Sequence, residues 1–427
     1  MKKIYKMLGL LLLGTQMFNS QVYTIASDDL YYAGGVNNNG KVSLSTATGY
    51  FIWNSTDGLK SIGSISNGYE TAGHPCISED GVIISAAYTN PESGYNEIST
   101  YDVESGTWIS HGGLLTSGFD GYISSAWGMS EDGSTIVGLS MVSAAIGRAV
   151  KWDATNGIVD LGSMVDGRSS RANGINGDKS VIVGWQDMAD GYRAAVRWVN
   201  GVESYITDNN GNNIGEAGAV SSDGKTIVGY NGIYPYIWNE MSGYHIITHP
   251  NSGTFFRGGA TGISGDGTKV IGYFRSWPGA PMGGDGFIWT PEGGRQNLND
   301  YVSSLGIDTQ GITFALPMAI SKDGTKIAGT GISGSDIVAF YIDLSSVLET
   351  QKAVKKHTSI YPNPAKNILN IKTDAKIESV EIFSVSGQRV KSLGSVNPIN
   401  ITDLSKGNYI VVISQNGKKE SYKFIKE

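Results

Sequence analysis

Nine arginines occur in this chain of 427 residues. Six of them, Arg148, Arg168, Arg171, Arg193, Arg257 and Arg275, fall in stretches that connect recurring apolar β-patterns. A guanidinium is a planar fork that grips carboxylate or sulfate through two parallel hydrogen bonds, which the lysine ammonium cannot do. Aromatic residues share those stretches: Tyr69, Tyr122, Trp127, Tyr192, Tyr234, Phe255, Phe256 and Trp277. Exposed rings can stack on sugar faces. An arginine that neutralises a uronic-acid carboxylate acidifies the adjacent C–H, and a tyrosine or histidine can then take that proton. On this reading His74, Tyr122 and Tyr192 are candidates for proton transfer. Arg168, Arg171, Arg193, Arg257, Arg275 and Trp277 are candidates for ligand binding. Hydrolysis would need two carboxylates across the scissile bond, and Asp120, Asp166, Glu216 and Asp285 are available. The bland alternative pairs the arginines with Asp120, Asp166, Asp190 and Asp285 as ordinary surface charges, and uses Trp127 for packing.

These residues are positioned by a recurring hairpin. Its clearest copy is Ser130 to Gly138, SEDGSTIVG, with further copies at Ser221 to Gly229, Ser264 to Gly272 and Ser321 to Gly329. Asn176 to Gly184 is a variant, Ser78 to Ser85 is weaker, and Val36 to Val42 is eroded. Asp-Gly between apolar β-formers is a tight-turn signal, because glycine reaches positive φ without strain. After each hairpin comes an aromatic strand, as in Phe51-Ile52-Trp53, Ala195-Val196-Arg197-Trp198 and Tyr236-Ile237-Trp238. A glycine turn and a fourth strand follow. Four strands per unit, repeating about every 40–57 residues, predict the blades of a propeller. The seventh unit has no fourth strand of its own, and Val22 to Ala26 is an apolar strand without a partner. The expectation is that Val22 to Ala26 pairs with Val338 to Ile342 and closes the circle.

The spacing separates two faces. From hairpin glycine to strand tryptophan the distance runs from 13 residues (Gly40 to Trp53) to 22 (Gly267 to Trp289), while the Asp-Gly turns barely vary. Length variation on one face marks it as the face free to bind. Most lysines of the repeat region sit instead at the constant turns, as Lys179, Lys225, Lys269, Lys322 and Lys326.

The remaining chemistry is thin. Asp208, Asn210 and Asn212 match the first three ligand positions of an EF-hand loop. Asn213 stands where that loop needs glycine and Ala219 where it needs glutamate, so a solvated turn is the default and Ca²⁺ the alternative. The single cysteine, Cys76, allows no internal disulfide and reads as a buried small hydrophobe. No zinc spacing, phosphate loop or nucleophile elbow is present. A net charge of −7 argues against a general nucleic-acid binder. Residues 1–20 read as a secretory signal, with Lys2, Lys3 and Lys6 before the apolar run Met7 to Leu13. No other stretch approaches the ~20 apolar residues of a membrane span. Residues 347–357 read as a polar linker, and 358–427 as alternating strands with glycine turns, a small β-sandwich.

Two resemblances follow from these motifs. The tail runs YPNPAKNILNI, VEIFSVSGQRV and LSKGNYIVVI resemble the type A C-terminal sorting domain of the type IX secretion system of Bacteroidetes. That resemblance implies export across the outer membrane through the type IX machinery, followed by release or surface attachment. The repeat, seen in Ala172-Asn173-Gly174-Ile175-Asn176 and Val159-Asp160-Leu161-Gly162, resembles the extracellular HAF-type repeat. That implies a propeller in an extracellular setting with no fixed chemistry. The reading is an all-β protein with a seven-bladed β-propeller over 21–346 and a small β-sandwich. It is expected to be a secreted or surface-held monomer that binds, and in one reading cleaves, an acidic polysaccharide at the variable face. Its alternative is a non-catalytic adhesion or protein/glycan-binding module.

Overall fold

The computed structural model describes residues 21–64, 73–117, 121, 123–279, 283–348, 358–373, 376–385, 387–415 and 418–427. The expected signal at 1–20 and most of the expected linker lie outside the described residues, as does Tyr122. The chain divides into two compact units after Leu344.

The first unit is a β-propeller arrangement of seven four-stranded antiparallel sheets among the described residues. Six of the sheets are simple meanders, such as Ser170–Ile175, Val181–Asp187, Arg193–Val199 and Val202–Tyr205. The last combines Ile312–Ile320, Lys326–Ser333 and Asp336–Asp343 with Val22–Ala26 as its outermost strand. Val22 lies opposite Ile342 and Thr24 opposite Phe340, so the expected joining of the two ends is present.

Each turn is held by one buried polar side chain. In the third sheet, Ser130 Oγ donates to Asp132 (2.6 Å) and accepts from the Thr135 amide (3.0 Å). The same pair of bonds recurs at Ser221, Ser264 and Ser321, and Asn176 makes it with an amide side chain. These side chains are almost wholly buried, so each bond replaces water that the site could not admit. In the variant turn Lys179 takes the left-handed backbone (φ 68°) that glycine takes in the other copies, and its ammonium pairs with Asp132 of the preceding turn at 2.6 Å.

Neighbouring turns bond to one another around the ring. Asn38 N donates to Glu79 Oε1 (2.7 Å), Glu79 N to Glu131 O (2.8 Å), and Gly177 N to Ser222 O (3.1 Å). Ser222 N donates to Gly265 O (2.9 Å), Gly265 N to Lys322 O (2.7 Å), and Asp323 N to Asn38 Oδ1 (2.8 Å). Lys179 supplies the link between the third and fourth turns. The constant face is therefore a closed belt.

A second feature sits along the inner strands. Six of the seven carry a bulge at one level, for example between Ala126 and Gly128 and between Ala172 and Gly174. The glycine ending each hairpin motif lies opposite. A Cβ on Gly138, Gly184, Gly229, Gly272 or Gly329 would run into the inner-strand carbonyl of Ser125, Arg171, Glu216, Gly259 or Leu316. Close backbone approach, rather than turn geometry, requires glycine there. At this level the sheets also bond sideways: His74 N to Ala126 O (2.9 Å), Asn173 Nδ2 to Ala217 O (2.7 Å), and Thr261 Oγ1 to Pro317 O (2.6 Å).

The core lies between sheets. Trp198 is fully buried and donates to Leu161 O of the preceding sheet (3.1 Å). Trp53 packs on Tyr23 and Tyr341 across the closure, with ring centroids 5.7 and 5.0 Å away. The second sheet lacks the repeat tryptophan on its third strand. Trp108 on the fourth strand fills that role, stacked on Tyr88 at 4.4 Å. The second unit of the chain has two sheets that share a core of Leu369, Val380, Ile382, Val411, Ile413 and Phe424.

Two measurements check this account. Ser264→Ala strands the Lys269 amide and should lower stability by about 1–3 kcal/mol in urea unfolding, against no change if the hydroxyl is incidental. Gly133 (φ 72°) and Gly157 (φ 68°) share a backbone conformation, but a Cβ at Gly133 would lie 3.1 Å from Ser78 Cβ and one at Gly157 meets nothing. Gly133→Ala should therefore cost more than Gly157→Ala. Equal costs would show that contact between neighbouring turns contributes nothing.

Candidate functional site

The seven inner strands surround a cavity of about 590 Å³. Each inner strand enters from the variable face and runs to its Asp-Gly turn. Residues at the starts of inner strands and at the ends of second strands therefore ring one mouth. There stand His74, Arg171, Glu216, Arg257, Arg275 and Trp277, with Trp127 and Tyr273 deeper. Glu79, Glu131 and Lys322 mark the turn end. Lys322 Nζ lies 3.4 Å from Glu131.

The arginines sort into three groups. Arg171 and Arg193 are neutralised. Arg193 Nη1 donates to both oxygens of Glu216 at 3.2 Å, and its Nε lies 3.6 Å from Asp187. Arg171 reaches Glu216 at 3.8 Å and donates from Nε to Asn173 Oδ1 at 2.7 Å. Both guanidiniums also stack on indoles. Arg171 lies 3.5 Å from the Trp127 ring centroid and 5.2 Å from that of Trp185, and Arg193 lies 4.0 Å from Trp185. Arg168 is exposed away from the cavity and donates to Ala189 O (2.5 Å). Arg257 and Arg275 form the third group. They are register partners on adjacent strands, and among the described residues neither has a carboxylate within ion-pair distance. Arg257 donates from Nε to Thr254 O (2.8 Å). Both lie near Trp277, at 5.4 and 5.7 Å from its ring centroid.

Most of these arginines stand on strands rather than in the connections where the sequence placed them. Arg148, Arg171, Arg193, Arg257 and Arg275 all occupy strand positions near the mouth-side ends. The apolar pattern is short at each end, because the strands run past the core into the rim.

The candidate proton-transfer set is not assembled among the described residues. Tyr192 is 76% exposed and outside the cavity. His74 lines the cavity with its ring edge-on to Trp127 at 4.8 Å. Burial, and then the Arg171 charge, push its imidazole down to about 4, so it is neutral at pH 7. Beside it, burial pushes the Cys76 thiol up to about 11, which keeps it protonated. Glu216 is the one mouth carboxylate among the described cavity residues, and Glu79 and Glu131 stand at the other end. At Asp208, Oδ1 accepts from the Asn210 and Asn212 amides and Oδ2 from Asn212 Nδ2 (3.0 Å). Asn212 thus turns its NH₂ toward the aspartate, the geometry of a local turn. No group of three His, Cys, Asp or Glu that could hold a metal occurs among the described residues.

Trp185 and Tyr273 are site residues that the sequence reading passed over. Both follow the glycine that ends a hairpin motif, as do Leu139, Tyr230 and Thr330. That position was the available signal.

Residues 359–427 match the family described as the secretion system C-terminal sorting domain. This sorting domain directs export through type IX secretion to the outer surface or the extracellular space. The match covers the tail alone. No curated protein matches the chain. Among solved structures, the chain is similar to an oligogalacturonate lyase in complex with manganese, at 12% identity and TM-score 0.48, covering 77% of this chain and 94% of that one. It is similar to the β-propeller domain of the Trilobed protease from Pyrococcus furiosus, at 14% identity and TM-score 0.47, covering 74% and 96%. It is also similar to TolB from Acinetobacter baumannii, at 16% identity and TM-score 0.41, covering 62% of each chain, so it spans less than two thirds of that protein. At these identities the likeness reaches no further than the fold. No helix among the described residues is long and apolar enough to cross a membrane.

The depressed His74 imidazole has a testable sign. Its ordinary value is 6.5 and its folded value about 4. Above pH 6.5 neither state is protonated and the group contributes nothing. As pH falls from there toward 4 the unfolded chain gains a proton that the folded chain refuses, so stability is lost across that window. His111, pushed down to about 4 by burial, acts in the same direction. His74→Gln should lose less stability than the parent between about pH 7 and pH 4.5 in urea titrations. Equal losses would show that His74 titrates normally.

Proposed function

We propose that this protein is a secreted seven-bladed propeller of HAF-type repeats over 21–346 that binds an acidic polysaccharide at the mouth of its central channel. A signal at 1–20, a linker at 347–357 and a sandwich-like sorting domain at 358–427 deliver it to its place of work. The observation that carries the binding assignment is the pair Arg257 and Arg275. Two guanidiniums stand opposite each other beside an indole that is 46% exposed, with no carboxylate of the described residues to neutralise them. An anion with a flat apolar face complements that arrangement.

Binding is favoured over cleavage by the same geometry. The neutral His74 is engaged with Trp127, Tyr192 stands outside, and Glu216 is committed to two arginines. The alternative, a non-catalytic surface adhesion or protein/glycan-binding module, differs in the identity of the ligand.

The test uses the mature protein with polygalacturonate, alginate, a sulfated galactan and neutral dextran. Acidic polymers should bind and dextran should not, and affinity should fall as salt rises. Arg257→Ala with Arg275→Ala should weaken binding by at least about tenfold, since each charge-assisted contact contributes roughly 1.5–3 kcal/mol. Unchanged affinity in the double variant, or equal binding of dextran, would overturn the proposal. Release of unsaturated or reducing ends would restore the cleavage reading.

A further inference from the structure

The ribbon formed by Phe256–Ile263 and Val270–Ser276 carries an ordered face toward the channel. In its register Arg257 lies opposite Arg275 and Gly259 opposite Tyr273. One step beyond the strand ends, Trp277 N donates to Phe255 O at 2.8 Å. Strand alternation therefore sets three pairs on one side of the ribbon, from rim to interior. They are Phe255 with Trp277, Arg257 with Arg275, and Gly259 with Tyr273. Arg275 lies 5.7 Å from the Tyr273 ring centroid as well as 5.7 Å from that of Trp277. The two cations stand between an outer and an inner aromatic layer.

Like charges directly opposite on a strand pair are unfavourable without a counter-charge. The mouth carboxylate that could supply one, Glu216, already accepts from Arg193 and lies within 3.8 Å of Arg171. Among the described residues no carboxylate balances the ribbon, which leaves the counter-charge to a ligand. Its shape is constrained too. A carboxylate offers two coplanar oxygens: Glu216 engages Arg193 with both at 3.2 Å and has Arg171 only at 3.8 Å. Two forks reaching in from two strands call for acceptors in more than one plane. A tetrahedral ester has three terminal oxygens and supplies them. The rim indole and Phe255, which is 76% exposed, offer surfaces for the ring that bears the ester.

We propose that Arg257 and Arg275 jointly hold one tetrahedral ester oxyanion, sulfate or phosphate, on a sugar whose ring stacks against Trp277. This rests on the acidic-glycan reading above and narrows it. The anion selected is an ester rather than a uronate, and Trp277 with the two arginines determines the selection.

The experiment titrates the mature full-length protein with four probes, following tryptophan fluorescence and calorimetric heat. They are a sulfated galactan free of uronate, the same polymer after chemical desulfation, polygalacturonate, and the monosaccharide pair galactose 6-sulfate and galactose 6-phosphate. The sulfated galactan should bind at least about tenfold more tightly than polygalacturonate, and desulfation should remove binding. At least one ester monosaccharide should compete, and the stronger of the two identifies the ester. Arg257→Lys and Arg275→Lys keep the charge but lose the fork, and each should weaken the sulfated polymer by about tenfold while leaving the weaker uronate binding nearly unchanged. Arg168→Ala, outside the cavity, should change nothing. Thermal melts of the variants, and a rise of the parent's melting temperature with sodium sulfate, separate loss of the site from loss of the fold. Polygalacturonate binding as tightly as the sulfated polymer would overturn this inference and leave the acidic-glycan reading standing. Failure of every acidic polymer would overturn both. Sulfated-polymer binding that survives both lysine variants would place the contact elsewhere and overturn the inference alone.

Discussion

One buried side-chain oxygen in each hairpin turn organises the propeller. Ser78, Ser130, Ser221, Ser264 and Ser321, and Asn176 in the variant, each accept from the amide five residues on and bond to the turn aspartate. Without that oxygen the amide at the start of the second strand would be buried and unpaired, a cost of about 1–3 kcal/mol per turn. With it, six of the seven turns share one form, and in the shorter first turn Asn37 Oδ1 accepts from the Lys41 amide at 2.9 Å. These turns bond edge to edge into a closed belt. The belt fixes the angular position of each inner strand at one end, so variation is tolerated only at the other.

The mouth uses that freedom unevenly. Sheets two to six bring His74, Trp127, Arg171, Glu216, Arg257 and Tyr273 to the cavity, while sheets seven and one bring Met318, Ala319, Ala33, Gly34 and Gly35. The chemistry thus lies on one wall and open space on the other. On the occupied wall the charges are arranged in two ways. Glu216 gathers Arg171 and Arg193 into a stack with Trp127 and Trp185, where the guanidiniums serve as flat spacers between indoles. One sheet further on, Arg257 and Arg275 stack only loosely near Trp277. The same residue type is structural in the first case and available in the second, and the positions of the Glu216 and Asp187 carboxylates separate them.

Much of the fold was legible in the chain. Turn glycines, the Ser-x-Asp signature and the strand tryptophans mark each unit, and the unpartnered strand Val22 to Ala26 pointed to its place beside Ile342. What was not legible depended on contacts between units. The motif-ending glycines recur in the sequence with no local reason, because Gly184 and Gly272 answer to the inner-strand carbonyls of Arg171 and Gly259. Trp108 replaces a missing core tryptophan from a different strand, which no periodicity announces. At the site, the arginines and His74 were visible as residue types, but their partners were not. Sequence distance hides that Glu216 lies beside Arg171 and Arg193, since each sits on a different strand of the ring.

The tail and the propeller answer to different constraints. A sorting domain must be recognised by one export machinery, so its strands and its core of Val380, Ile382, Val411 and Phe424 carry a family pattern that a sequence comparison finds. The propeller must only close. Any set of apolar strands with the right turns meets that demand, and the inner-strand bulges leave the rim free to carry different side chains on the same frame. Ligand choice in such a protein is therefore read from single positions at the mouth. Here, those positions are the residues at the open end of one ribbon, where the paired cations of Arg257 and Arg275 lie under the exposed rings of Phe255 and Trp277.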